Sequence, residues 1–292
     1  MEIRILRYFL TVAREENITK AANVLHITQP TLSRQLMQLE EELNTQLLIR
    51  GKNKITLTDA GMLLRRRAEE IIDLADKTEK EFLEADELIA GEIFVGAGEI
   101  NAMHLLGDFM IKFQHHYPQI KYHLYSGNAD DVKQKVNQGL LDIGLLTEPV
   151  DVEKYDFVRL NYQEAWGILA PKDSAIAKKD YVTPQDLQKL PLLIGHRQIV
   201  QNELAHWMGM NVQDLNIVAT YDLIYNAAIL VEKGLGYALC LDKIVYMSND
   251  SLVRFIPLKP AYETGAVIVW KKHQVFSLTA TRFIQEIYDY FH

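Results

Sequence analysis

A single cysteine, Cys240, stands in 292 residues. It excludes an internal disulfide and leaves a structural zinc site without a thiol pair. His115, His116 and His123 lack the spacing of metal ligands and read as surface residues around Pro118. No apolar run approaches the roughly 18 residues that a membrane helix needs. Met1-Glu2-Ile3-Arg4 enters a periodic helix directly, so no signal peptide is expected and the chain reads as cytoplasmic. Catalytic signatures are missing too: there is no Gly-x-Ser-x-Gly elbow and no Gly-x-x-x-x-Gly-Lys-Ser/Thr loop. Gly234-Leu235-Gly236 reads as a helix end leading into a strand, not as a phosphate loop. Cys240 lies in an apolar strand and has no resolving partner for redox chemistry. Neither an enzyme nor a cofactor is therefore expected.

The net charge of −8 at first argues against a polyanionic partner. Its distribution reverses that reading. Residues 1–58 carry eight Lys/Arg against six acids; the remainder carries 23 against 33. The N-terminal basic surplus is small, so tight binding to DNA would need more than one subunit.

What is present centres on Asn17–Leu43. The pattern predicts two short helices joined by a turn at His26-Ile27-Thr28, with Asn17 and Thr28 as N-caps and Pro30 in the first turn of the second helix. Leu32, Leu36, Leu39 and Leu43 form its apolar stripe. The opposite face offers Pro30, Arg34, Gln38 and Glu41, flanked by Thr31, Ser33 and Met37. Hydroxyls, a guanidinium and amides near a helix N-terminus suit base edges and phosphates. Glu40 to Glu42 would lie at the far end, away from a duplex. Residues 2–15 read as a support helix with Ile5, Tyr8, Phe9 and Val12 inward. Thr45–Thr58 reads as a two-stranded wing with Arg50, Lys52, Asn53 and Lys54 at its tip. Spacing alone leaves a plain helical hairpin and a solvated turn open.

The order Phe9, Val12-Ala13, Thr19-Lys20-Ala21-Ala22, Leu25, Gln29-Pro30-Thr31-Leu32-Ser33-Arg34-Gln35, Leu39-Glu40, Glu42-Leu43, Leu47, Arg50 and Leu57-Thr58-Asp59-Ala60-Gly61 closely resembles the N-terminal part of LysR-type transcriptional regulators. It departs at Asn17-Ile18, where the family usually has Ser-Phe, at Leu48 in place of Phe, and in a thinner basic set at the wing. The resemblance implies a winged helix-turn-helix that contacts DNA through Thr19, Lys20, Thr28, Gln29, Pro30, Thr31, Ser33, Arg34, Gln38 and the four wing residues.

From Asp59 to about Ile89 apolar or small residues fall at Leu64, Ala68, Ile71, Ala75, Thr78, Phe82, Ala85 and Ile89, spaced alternately 4 and 3. A helix of about 31 residues spans roughly 46 Å. It is too long to bury its stripe on a 58-residue domain, so a second copy is the expected partner, with one helix lying across its own C-terminal domain as the alternative. The family's linker helix works by such pairing, which implies a homodimer or homotetramer.

After Gly91, strands alternate with helices, predicting α/β architecture with largely parallel sheets. The expected strands are 92–96, 120–125, 140–146, 165–170, 192–194, 216–219, 237–241 and 266–270. Leu141-Asp142-Ile143-Gly144, Trp166–Asp173 and Val231–Leu239 resemble LysR-type effector domains more loosely. That resemblance implies a two-subdomain fold like a periplasmic binding protein. The expected organisation is a DNA-binding domain at 1–58, a linker and dimerisation helix at 59–90 and an effector-binding domain at 91–292. Subdomain I would take 91–162 and 265–292, and subdomain II 163–264, with crossovers near 161–164 and 262–266.

Open α/β sheets bind ligands beyond strand carboxyl ends, at helix N-termini. Those positions here include Gly98, Glu99, Ile100 and Asn101; Ser126, Gly127 and Asn128; Thr147; His196; and Thr220, Tyr221 and Asp222. Each alone is explained by a capping loop, and their convergence on one cleft is implied by the family fold. Glu99 would repel an anion, so the effector is expected to be neutral or cationic, unless Glu99 points away. The expected partners are promoter DNA, a small-molecule effector, a second copy of the chain and RNA polymerase. A solute-binding protein or an enzyme on the binding-protein fold is the alternative, but it lacks a signal peptide or a catalytic constellation. An architectural DNA protein would not need the roughly 200-residue α/β portion.

Overall fold

Ile5, Leu6, Phe9 and Val12 recur at helical spacing and all are buried, which places them on the inner face of helix α1 (Ile3–Glu15). In the computed structural model residues 2–51, 54–83, 89–245 and 251–292 are described, without the side chains of residue 50 and residues 79–83. The chain divides into two units, Met1–Leu83 and Glu84–His292.

In the first unit α1 is followed by α2 (Ile18–Val24) and α3 (Gln29–Glu42). The Asn17 side chain accepts from the Lys20 N–H at 3.0 Å and so caps α2. Thr28 stands at the N-cap of α3 without capping it; its hydroxyl instead pairs with that of Thr31 at 2.8 Å. Leu32, Leu36 and Leu39 are buried with Phe9, Ala21 and Ala22. Leu43 is 39% exposed: it is the C-cap, outside the helical stripe that the spacing extended to it.

Strands β1 (Leu48–Arg50) and β2 (Ile55–Leu57) pair antiparallel as the wing. Glu40 fixes its start, accepting from the N–H groups of Leu47 at 2.7 Å and Leu48 at 3.0 Å. One of the three consecutive glutamates is thus structural. Helix α4 (Asp59–Leu83) begins at Thr58, whose Oγ1 accepts from the Gly61 N–H at 2.9 Å and donates to the Gln46 carbonyl at 2.7 Å. A Cβ at Gly61 would stand 2.2 Å from the Leu47 carbonyl oxygen, so only glycine lets α4 lie this close to the wing.

Helix α4 packs on α1. Ala68 and Ile72 are buried against Leu6, with Leu10 and Leu64 alongside, and Arg7 pairs with Asp76. This corrects the seam at two positions: Leu64 and Ala68, assigned by spacing to a second copy, have intrachain partners. Among the described side chains of α4, Met62, Leu63, Ile71 and Leu74 are the large apolar ones left exposed. Ile89 packs against the core of the second unit. Ala75 is half-buried and Thr78 is exposed, its hydroxyl donating to the Leu74 carbonyl at 2.8 Å; the Phe82 side chain and Ala85 lie outside the described residues.

The second unit runs β3 (Gly91–Ala97), α5 (Met103–His116), β4 (Ile120–Ser126), α6 (Ala129–Asn137), β5 (Ile143–Thr147) and β6 (Tyr155–Pro171). Then follow α7 (Pro184–Leu187), β7 (Leu192–Gly195), α8 (Gln198–Trp207), β8 (Ile217–Tyr221), α9 (Ile224–Glu232) and β9 (Tyr237–Leu241). The chain closes with β10 (Val253–Pro257), β11 (Glu263–Lys271) and α10 (Leu278–Phe291). The sheet order is β4-β3-β5-β11-β6-β9-β7-β8, with β10 on β6. The blocks β4-β3-β5 and β9-β7-β8 are parallel, and β6 and β11 join them as a long antiparallel pair from Tyr155↔Lys271 to Ala165↔Glu263. Both crossovers therefore run inside continuous strands. The first half of β6 was not predicted because its residues are mostly exposed and form no apolar run. Strand β10 was also missed; it pairs only with β6, and its sequence, Val253 to Pro257, has just one buried pair separated by two residues.

Gly61→Ala should destabilise the first unit by about 1–3 kcal/mol, the usual cost of forcing a methyl into packed backbone. Urea unfolding followed by far-ultraviolet circular dichroism would reveal it as an earlier loss of helix; an unchanged profile would contradict the close approach.

Candidate nucleic-acid interface and ligand cleft

Burying the leucine face of α3 turns its other side outward. Gln29, Pro30, Thr31, Arg34 and Gln38 are exposed, and Ser33 is half-buried. Arg34 makes no ion pair or hydrogen bond among the described residues. Gln38 reaches Glu42 at 3.5 Å. Thr19, Lys20 and Thr28 are also exposed. At the wing Lys54 pairs with Glu16 at 2.8 Å, a surface pair weak enough for a phosphate to displace. Lys52, Asn53 and the Arg50 side chain lie outside the described residues.

In the second unit a cavity of about 110 Å³ opens where the two parallel blocks face each other. It brings together eight of the twelve positions expected at the ligand site: Gly98, Glu99, Ile100 and Asn128 from the first block's side, Thr147, and His196, Tyr221 and Asp222 opposite. Four positions fall elsewhere. Ser126, which ends edge strand β4, and Thr220, the last residue but one of edge strand β8, are exposed. Asn101 is turned to the Tyr162 hydroxyl at 2.7 Å, and the Gly127 N–H is spent on the Ala97 carbonyl at 3.1 Å. Loop reasoning missed the apolar walls, Trp166, Val200, Ile224 and Leu241, together with Cys240. The signal available was that apolar strand ends next to a ligand loop must line it.

Three polar contacts bridge the cavity. Glu99 Oε2 accepts from the Ile224 N–H at 2.7 Å. Asn128, whose carbonyl caps α6, donates through Nδ2 to Asp222 at 3.0 Å. The Arg197 guanidinium, only 10% exposed, donates to the Pro149 carbonyl at 3.1 Å and lies 3.4 Å from Asp130. Burial pushes the Cys240 thiol up to about 12, so it stays protonated and unreactive near neutral pH. Burial also raises the Tyr221 hydroxyl, which donates to the Leu239 carbonyl.

Behind the Glu99 loop, Glu164 is buried on β6 and accepts from the Ala102 N–H at 3.0 Å, at the start of α5. Burial raises its pKa, opposed by the backbone hydrogen bonds. Among the described residues no group of three or more His, Cys, Asp or Glu could hold a metal, and no helix is long and apolar enough to cross a membrane.

A winged helix-turn-helix joined to a two-block α/β ligand-binding unit defines a DNA-binding transcriptional regulator with an effector-binding domain. Residues 3–62 match the family described as bacterial regulatory helix-turn-helix protein, lysR family, and residues 86–291 match the LysR substrate binding domain. The chain belongs to the LysR family of transcriptional regulators. It is 30% identical over 286 residues to the Hca operon transcriptional activator HcaR of Escherichia coli (strain K12), covering 94% of this chain and 93% of that one. It is 26% identical to the HTH-type transcriptional regulator BsdA of Bacillus subtilis (strain 168), covering 97% and 99%. Among solved structures, CbnR, a LysR family regulator, superposes with a TM-score of 0.77 at 19% identity over the full length of both chains. CbnR complexed with target DNA superposes at 0.75 and 20% identity, covering 99% of each. These relatives are named as regulators, not as enzymes or solute carriers.

Because the folded Glu164 carboxyl has a raised pKa, the folded state holds its proton more tightly than the unfolded chain does. Stability from this group is full below the ordinary glutamate value and lost as pH rises through the raised one. Glu164→Gln should therefore be relatively better tolerated at pH 7 than at pH 4, read as the difference in Tm from wild type at each pH. Equal differences would contradict the assignment.

Proposed function

We propose that the chain reads promoter DNA through the exposed face of α3, with Arg34 as the base-reading side chain. Gln29, Thr31, Ser33 and Gln38 assist it, and Thr19, Lys20, Pro30 and Thr28 sit against the phosphates. The observation that carries this is Arg34: a guanidinium held outward by three buried leucines, with no partner among the described residues. A bidentate pairing with guanine satisfies it. Arg50, Lys52, Asn53 and Lys54 contact phosphate or the minor groove beside the helix.

Two copies join through α4. Leu63, Ile71 and Leu74 are 56%, 37% and 41% exposed and fall within about 80° of one another around the helix. This stripe, displaced from the one that spacing suggested, is what a second α4 covers. Pairing sets two recognition helices roughly 34 Å apart, on successive major-groove faces. Pairing between effector-binding domains extends the dimer to a tetramer. The effector occupies the cavity near Trp166 and Thr147. Its differential affinity for one arrangement of the two blocks shifts the spacing of the DNA-binding domains. The cytoplasm is the compartment this activity requires.

Arg34→Ala should weaken binding to a fragment of the upstream region of the protein's own gene by about 1–3 kcal/mol in a gel shift, with an unchanged circular dichroism spectrum. Unaltered affinity would remove Arg34 from the reading set. Leu74→Asp should raise the dimer dissociation constant by at least tenfold, about 1.4 kcal/mol, in sedimentation velocity. A variant that stays dimeric would place the interface elsewhere.

A further inference from the structure

The start of α9 is unusual in its capping. Its N-cap residue is Leu223, which has no side-chain acceptor, yet the first N–H of the helix is satisfied. The acceptor is Glu99 Oε2 at 2.7 Å, from a loop 125 residues earlier and on the other side of the cavity. A helix N-terminus facing a cavity is a place where an anion gains from both the N–H donors and the helix dipole. Here a tethered carboxylate already holds it. Asp222, two residues before the helix, adds a second carboxylate to the same wall, and the Arg197 guanidinium is turned to the Pro149 carbonyl and Asp130. The wall also carries the apolar side chains Ile100, Trp166, Val200 and Leu241, beside the uncharged polar groups of Asn128, Thr147 and Tyr221 and the imidazole of His196. The space, about 110 Å³, is somewhat smaller than the roughly 150 Å³ cavity that admits benzene.

We propose that Glu99 sets the charge of the effector by standing in for a ligand carboxylate at α9, so that the cavity takes a small neutral or cationic molecule with a compact apolar body and refuses the corresponding anion. This rests on the cleft being the effector site. It predicts that anions gain entry when the carboxylate is removed, because the Ile224 N–H is then released.

The test uses three isosteric probes, isobutyrate, isobutyramide and isobutyramidinium, titrated at millimolar concentrations, the affinity range open to six-atom ligands. The readout is the Trp166 indole N–H resonance of the full-length protein, assigned with Trp166→Phe. In wild type the amide and amidinium should shift this resonance, with isobutyrate at least about tenfold weaker, since an unscreened like charge at this range costs that much or more. Glu99→Gln keeps an acceptor for Ile224 while losing the charge, and should close the gap between amidinium and carboxylate by about tenfold. Glu99→Ser should bind isobutyrate better than wild type does. Isobutyrate binding to wild type as tightly as isobutyramide, with Trp166 shifted, would overturn the role of Glu99 and leave the cleft as the effector site. No Trp166 shift from any probe would overturn both.

Discussion

Every helix begins with N–H groups that its own backbone cannot pair, and in this chain distant carboxylates answer them. Glu164 serves the start of α5 from 62 residues away, and Glu99 serves the start of α9 from 125. Glu40 does the same for the first strand of the wing. The Glu164 and Glu99 contacts tie segments far apart in the chain, and the Glu40 contact ties two neighbouring elements. Glu40 fixes the wing to α3, Glu164 fixes the start of α5 to the long strand β6, and Glu99 links the two walls of the cavity. A side chain with no acceptor at any of these positions would leave an N–H unpaired, at a cost on the order of 1–3 kcal/mol.

That pattern also explains where sequence reasoning stops. Asn17 and Thr58 are local caps, within three residues of the N–H they serve, and the first of them is read directly from the sequence. Leu223 and Ala102 look like failed caps, because the acceptors are far off in the chain. The same contrast separates the strands. The fully buried β5 and β9 announce themselves as apolar runs, whereas the first half of β6 alternates and was passed over, although it carries the crossover.

The ligand cavity was half legible for a related reason. Loops after strand ends can be found from the alternation of strands and helices, and eight loop positions converge on the cavity. Which strand residues floor it depends on register, and register at Trp166 and Cys240 is set by the pairing of β6 with β9, a contact between segments some seventy residues apart. The linker helix shows the limit of periodicity most directly. A 4-3 repeat identifies that α4 has an apolar stripe but not what covers it. Leu64 and Ala68 turned out to serve α1, because the first unit needs a fourth helix to close its core around Leu6.

These two uses of α4 are compatible because the helix is wide enough for both. Ala68 and Ile72 face inward, while Leu63 and Leu74 are exposed about 120° or more away from them and Ile71 stands at the border, about 60° from Ala68. Small Ala68 lets α1 approach closely, with the larger Leu64 and Ile72 packed beside it. In the dimer proposed above, the inner stripe of α4 holds its own first unit while the outer stripe is left for a second copy.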